Sequence, residues 1–302
     1  MIHKRFFERF YWTRTSWLHS VGFVIGEAEL RRIPRSMLFT PATKTGHFTA
    51  AATVGADAVI LDLEDSVAPV AKDDARCAAL NYLAAGGFSG TSTALRINSP
   101  ATLAGWHDLS ALLDSAADPD FIVIPKAESA AVAALVKSVL GQAQKTTGVI
   151  VIYESACAAA RIADLLDPHV VDAVIFGGAD MSADLGADLA AEVTGYARNV
   201  LLTHAAAAAI PVIDSPFFDI ADTDGLGQAV EHAVAEGFAG KAAIHPAQIP
   251  VINAAFTPDE DEIAWARKVI DANQVGVGAV DGSMVDEAVA RRARRILHNI
   301  HH

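Results

Sequence analysis

Eight short runs of β-favouring residues recur along the middle of the chain, and their spacing is the strongest constraint on its fold. They cover residues 37–39, 59–63, 94–97, 121–124, 149–153, 173–176, 211–213 and 242–244. Most are continuous apolar runs, the pattern of strands covered on both faces, and Ala-rich helical stretches separate them. Their starts fall 22 to 38 residues apart, matching a βα unit of about 30 residues. Eight such units predict an α/β fold closed into a (β/α)8 TIM barrel, with a doubly wound open sheet as the alternative. No GxGxxG follows the first run and no GxxxxGK[ST] occurs, which weakens the dinucleotide and P-loop readings of an open sheet.

The 302 residues are 52% hydrophobic and 20% charged, enough apolar side chain for one large core and incompatible with wholesale disorder. Twenty-three basic against 36 acidic residues give a net charge of −13. That is the opposite of a phosphate-binding footprint, so no nucleic-acid partner is expected. Cys77 and Cys157 have neither CxxC nor zinc-finger spacing. A reducing compartment, the cytoplasm, is the expected location, and Cys157 reads as a buried small residue. No apolar run reaches the roughly 18–20 residues of a membrane span.

The two ends differ from the middle. Residues 1–35 hold seven Lys/Arg against three Glu, with seven aromatic residues. This opening reads as an extension outside the chemistry, or as an organelle-targeting peptide or a docking arm. Near the other end, Thr257 and Pro258 followed by four acids predict an N-cap and a first-turn proline for a helix running to about Asn273. Gly276, Gly278 and Gly282 then break the chain before a second helical run from Ser283 to about Leu297. The expected organisation is an extension over 1–34, a catalytic barrel over 35–256 and a C-terminal helical extension over 257–302.

Chemistry-bearing residues sit just after the predicted strands: Pro41 and Lys44, then Asp62, Glu64 and Asp65, Arg96 and Asn98, Lys126, Glu154, Asp180, Asp214 and His245. In a barrel all of these reach the C-terminal rim, where active sites of this fold lie. Glu154 and Asp180 are hard oxygen donors on neighbouring strands without a His/Cys cluster, which suits Mg²⁺ or Mn²⁺ with water and substrate completing the shell. The alternative is that each pairs with Arg96 or Lys126. Gly177 and Gly178 beside Asp180 let backbone approach a ligand. Arg96 is suited to gripping a carboxylate or steadying a developing enolate oxygen, and equally to neutralising Asp62 or Glu64. Glu64 is expected to reach the metal only indirectly, through water. A lone His245 more often packs or hydrogen-bonds than acts as a base.

Several segments, in this order, resemble the citrate lyase β-subunit-like family, which includes malyl-CoA, citramalyl-CoA and citryl-CoA lyases. The segments are Arg35-Ser36-Met37-Leu38-Phe39-Thr40-Pro41-Ala42, Asp62-Leu63-Glu64-Asp65, Leu95-Arg96-Ile97-Asn98, Ile124-Pro125-Lys126, Tyr153-Glu154-Ser155-Ala156, Phe176-Gly177-Gly178-Ala179-Asp180, Gly240 to Pro246 and Gly282-Ser283-Met284-Val285-Asp286. Any one is weak, whereas the ordered set over about 35–297 is specific. The resemblance implies that Glu154 and Asp180 hold Mg²⁺ and that Arg96 contacts the oxo-acid portion. It implies substrate or CoA contacts at Phe39, Thr40, Lys44, Ala179, Asp214 and Ser215. It further implies that Asp286 is supplied to a neighbouring subunit's site as the proton-transfer group, in a homotrimer or a hexamer of trimers. Read locally, Ser283 and Asp286 are instead a helix capping box.

Two departures stand out. Ala50 occupies a place where relatives carry a basic CoA contact, which leaves the acyl carrier, CoA or a carrier protein, open. The histidine base of related pyruvate-type aldolases is replaced by Asp62-Leu63-Glu64-Asp65. The expected reaction is therefore Mg²⁺-dependent cleavage of a 3-hydroxy-3-carboxy acyl-CoA to acetyl-CoA and a 2-oxo acid, citramalyl-CoA first, then malyl-CoA or citryl-CoA. A malyl-CoA thioesterase, an aldolase on free oxo acids and a non-catalytic barrel follow in that order.

Overall fold

The structure, a computed structural model, describes residues 33–273, 278–298 and 300. The expected N-terminal extension lies outside the described residues except for Ile33 and Pro34.

All eight predicted runs are strands: β1 Ser36–Pro41, β2 Ala58–Asp62, β3 Ser92–Arg96, β4 Phe121–Ile124, β5 Gly148–Tyr153, β6 Ala173–Phe176, β7 Val212–Asp214 and β8 Gly240–Ala243. Each pairs in parallel with its sequence neighbours, and β1 closes on β8 through Ser36↔Lys241, Met37↔Ala242 and Leu38↔Ala243. The closed barrel replaces the open-sheet alternative. Around it run α1 Thr45–Thr53, α2 Lys72–Ala84, α3 Leu103–Asp114, α4 Ala130–Gln142, α5 Ala156–Ala160, α6 Ile162–Leu165, α7 Gly178–Asp184, α8 Glu192–Ala208, α9 Thr223–Glu236 and α10 Ile249–Ala255. The longer helices bury one stripe, as in α9, where Leu226, Val230 and Ala233 recur at helical spacing. Asp222 caps that helix by accepting from the Gly225 N–H at 2.8 Å.

Strand periodicity splits the core into two layers. Met37, Ile60, Ala94, Val123, Ile150, Ile152, Ile175 and Ile213 fill the barrel interior. Their chain neighbours, such as Leu38, Val59, Leu61, Leu95, Val151 and Val174, face the helices. Because both faces are apolar, the strands read as continuous runs.

The same parity corrects one expectation. Ile213 points inward, so Asp214 points outward into the helix layer, opposite its register partner Lys241. There Asp214 is buried and ion-paired, accepting from Lys241 Nζ at 2.6 Å and from Arg198 Nε at 3.2 Å. Lys241 also donates to the Ser215 carbonyl at 2.7 Å, and Arg198 pairs with Glu236 and stacks on Phe238. This network fixes the chain leaving β7.

The C-terminal segment differs from two consecutive helices. Helix α11 Glu260–Asn273 is followed by β9 Gly278–Val280 and β10 Ser283–Val285, then α12 Glu287–His298. The two short strands are antiparallel, with Val280↔Ser283 in register. Asp281 and Gly282, at φ +50° and +79°, make the two-residue turn that Asp-Gly favours. Ser283 therefore belongs to a strand, and Asp286 itself caps α12, accepting from the N–H groups of Ala288 and Val289 at 2.9 and 3.0 Å. Likewise the cap of α11 is Asp259 rather than Thr257: its side chain accepts from the Glu262 N–H at 2.7 Å, while the Glu262 side chain accepts from the Asp259 N–H at 3.2 Å. Ala266, Val269, Val280, Val285, Ala290 and Ala293 form a small core of their own, and Arg292 stacks on Trp265.

Removing one partner of a buried pair strands the other charge, so Lys241→Met is expected to lower stability by about 3–5 kcal/mol in denaturant unfolding. Adding Asp214→Asn should recover part of that loss.

Candidate active site

Inward parity carries on through the mouth of the barrel. Asp62 follows two residues after Ile60, Arg96 after Ala94, Glu154 after Ile152 and Gly177 after Ile175, so each stands above an interior side chain. With Phe39 and Pro41 they line a cleft of about 380 Å³, completed by Asp65, Ser66, Ala179, Asp180, Pro216, Phe218 and Ile244. Among the described residues of this wall, Arg96 is the one base beside four acids, Asp62, Asp65, Glu154 and Asp180.

Arg96 is held rather than free. Its Nε and Nη2 donate to the two carboxylate oxygens of Asp62 at 2.6 and 2.7 Å, a two-pronged pair that sets the guanidinium plane. Phe39 lies under that plane at 4.8 Å. Nη1 is 3.0 Å from Glu64 Oε2 without hydrogen-bond alignment. Burial works against the charged form of Asp62, but the hydrogen bonds and charge of Arg96 outweigh it and hold the carboxyl below its usual range. Thus the neutralising role of Arg96 is realised here. N–H groups not directed at Asp62 and Glu64 remain for a ligand in the cleft.

Glu154 is buried and has one hydrogen-bond donor, the backbone N–H of Lys126 at 2.6 Å. Burial, together with the nearby charges of Asp180 and Glu64, pushes its carboxyl up to about 8 against the pull of that N–H and of Arg96. Asp180, half-buried in the first turn of α7, makes no side-chain hydrogen bond or ion pair among the described residues. Neither acid is therefore neutralised by Arg96 or Lys126 through an ion pair. Gly177 makes room: a Cβ there would lie 2.4 Å from Glu154 Cβ and 2.6 Å from its Oε2. Two carboxylates short of positive charge beside a space only glycine leaves are the donor set a hexacoordinate Mg²⁺ accepts, with water and substrate as remaining ligands.

The structure thus gathers Phe39, Arg96, Ala179, Glu154 and Asp180 at one cleft. Glu64 stands behind Arg96, bonded to Lys126 Nζ at 2.5 Å. Thr40 shares the outward parity of Leu38 and is buried, Lys44 is exposed just before α1, and Ser215 is half-buried beside the Asp214 network. Asp286 lies outside the lining of its own chain's cleft. His245 Nδ1 accepts from the Ala247 N–H at 3.2 Å, the hydrogen-bonding role expected of it. Cys157 corrects another expectation: it is exposed, and a hydrogen bond with Glu128 pushes its thiol up, away from thiolate character. Lys126 is at the rim as expected, but its ammonium meets Glu64 and its backbone N–H meets Glu154, an arrangement that nothing in Ile124-Pro125-Lys126 marks, since its φ of +52° leaves no sequence signal.

The folded value of Glu154 lies above its ordinary 4.5, so its proton favours the folded state. That contribution is whole below 4.5 and is lost as pH rises through about 8 in metal-free protein. Mg²⁺ binding at pH 7 is accordingly expected to release protons, read by calorimetry in buffers of different ionisation enthalpy. Gly177→Ala should weaken Mg²⁺ binding by about 10–100-fold while leaving the circular dichroism spectrum intact.

Comparison with known proteins gives the family of the chain. Residues 35–246 match the family model described as HpcH/HpaI aldolase/citrate lyase. A citrate lyase subunit beta-like protein of Mycobacterium tuberculosis is 34% identical over 272 residues, covering 89% of this chain and 96% of that protein. The mitochondrial citramalyl-CoA lyase of Rattus norvegicus is 29% identical over 286 residues, 87% of this chain and 85% of its own. Among solved structures, the protein CitE from Mycobacterium tuberculosis in complex with magnesium, acetoacetate and coenzyme A matches with a TM-score of 0.74 and 33% identity, covering 88% of this chain and 97% of that one. The chain belongs to the HpcH/HpaI aldolase/citrate lyase family and is, with it, a carbon–carbon lyase.

Proposed function

We propose that the protein is a Mg²⁺-dependent lyase that cleaves a 3-hydroxy-3-carboxy acyl-CoA, citramalyl-CoA foremost, to acetyl-CoA and a 2-oxo acid. The observation that carries this is the pairing of two under-neutralised carboxylates, Glu154 and Asp180, with a clamped arginine in one cleft. Relatives named for citrate lyase and citramalyl-CoA lyase, and a neighbour solved with magnesium, acetoacetate and coenzyme A, support it. Glu154 and Asp180 would hold Mg²⁺, whose Lewis acidity would make the substrate's hydroxyl easier to deprotonate, its proton passing to solvent water.

The chain's own residues do the rest. Arg96, its plane fixed by Asp62 and Phe39, offers its remaining N–H groups to oxygen that becomes negative when the C2–C3 bond breaks and its electrons pass into the thioester. Asp62 limits the arginine to one orientation, so little reorganisation is needed as charge develops. The enolate carbon then takes a proton, for which Asp286 of a neighbouring copy is the donor, and condensation uses the same carboxylate as base. A trimer, or a hexamer of trimers, brings the two together. In this reading the exposed Lys44 meets CoA phosphate.

The wall chemistry favours the smaller oxo acids. Besides Arg96 the cleft offers Phe39, Ile152, Ile175, Phe218 and Ile244 against its acids. The methyl of a citramalyl group fits such a wall, whereas the additional carboxylate of citryl-CoA would meet like charge with no basic side chain besides Arg96 among the described lining residues.

Purified protein should convert citramalyl-CoA to acetyl-CoA and pyruvate in the presence of Mg²⁺, faster than it converts malyl-CoA or citryl-CoA, with EDTA abolishing turnover. Free hydroxy acid with CoASH would identify a thioesterase instead. Asparagine caps helices as well as aspartate does, so Asp286→Asn should lower kcat by about 10²-fold or more with an unchanged Tm.

A further inference from the structure

Four described residues other than glycine have positive φ: Lys126, Gln144, Ala209 and Asp281. Gln144 and Ala209 follow helices and Asp281 turns the hairpin, but Lys126 lies at the mouth of the barrel, in a conformation that a Cβ disfavours. Both ends of this residue are engaged. Its backbone N–H donates to Glu154 Oε1 at 2.6 Å, and its Nζ donates to Glu64 Oε1 at 2.5 Å, with Asp65 Oδ1 3.6 Å away. The other oxygen of Glu64 is buried, accepts no hydrogen bond and lies 3.0 Å from Arg96 Nη1. Lys126 therefore stands between Glu154 and the acid beside Arg96.

We propose that Lys126 is a positioning residue of the reaction, whose backbone sets the Glu154 carboxylate and whose ammonium holds Glu64 so that Arg96 keeps N–H groups for the substrate. A charged, buried carboxylate seeks the nearest cation. Without the ammonium, Glu64 has Arg96 alone, and its unbonded oxygen is already within ion-pair distance of Nη1. The left-handed backbone lets one residue serve both acids, since Glu154 is met by its N–H and Glu64 by its side chain. Strain of this kind persists where surrounding contacts over-determine it.

This inference uses the lyase reading for its kinetic readout only. Lys126→Met removes the ammonium and keeps the N–H, and Lys126→Gly does the same while relieving the backbone, which guards against a folding defect. Both are expected to lower kcat/KM by about 10–100-fold, with Mg²⁺ affinity by calorimetry within about threefold of wild type because the N–H to Glu154 remains. Adding Glu64→Gln to Lys126→Met should recover several-fold in kcat/KM, since it removes the charge the lysine neutralises; a packing role would show no such rescue. A loss below about fivefold in Lys126→Gly, or no recovery in the double variant, overturns the proposal. If wild-type protein cleaves none of the three thioesters, the lyase reading fails, and Mg²⁺-dependent pyruvate binding by calorimetry takes its place. The same order of affinities across the variants is then expected, and equal or absent binding overturns the role of Lys126.

Discussion

A closed parallel barrel has an inside and an outside, and the two-residue period of a strand assigns every side chain to one of them. In this protein that parity determines more than the core. Ile60, Ala94 and Ile152 fill the interior, and Asp62, Arg96 and Glu154 follow two residues later as the strands run out of the barrel. A shift of one residue in any of these strands would bury a charge among helices and open a gap in the cleft. Packing on both faces thus holds the chemistry in register, because a one-residue slip would exchange the interior set with the helix-facing set and disrupt both layers.

The cost of gathering acids at the mouth shapes everything around it. Asp62 and Arg96 satisfy each other in a two-pronged pair, and Glu64 has Lys126. Glu154, buried and near Asp180, has one N–H and no close cation, which is why its carboxyl is pushed up to about 8. Among the described residues of this wall, Glu154 and Asp180 are the acids without an ion pair, and that is where a divalent ion fits. A structural salt-bridge network would instead close on itself, as the outward-facing Asp214–Lys241–Arg198–Glu236 set does.

Much of this was legible because parallel strands covered on both faces leave continuous apolar runs, and the barrel mouth begins where those runs end. All eight barrel strands and the carboxylate pair follow from that. Asp214 was misplaced because a run's end does not reveal its parity: Ile213 faces in, so the acid faces out. The hairpin at Asp281-Gly282 carried a turn signal, but three-residue strands offer too little periodicity to compete with the helical pattern downstream. Residue type alone points Cys157 to the interior, whereas α5 buries Ala158 and leaves its neighbour in solvent. The role proposed for Asp286 is invisible to local reading, since a carboxylate that caps a helix looks the same whether or not another chain uses it.

Departures from local preference converge on a single side chain. Gly177 stands where any Cβ would strike Glu154, and Lys126 accepts a left-handed backbone to present its N–H to the same carboxylate. Neither feature contributes to the hydrophobic core, and each is unfavourable or entropically costly by itself. Surroundings that work against local preference at two separate strand ends, both directed at one carboxylate, imply that its orientation is what the fold preserves there. A buried Glu154 free to rotate would find better company in Arg96. Held by Lys126 and given space by Gly177, it is kept apart from the arginine, and the acid that would bind a cation and the base that would meet developing negative charge remain two separate groups in one cleft.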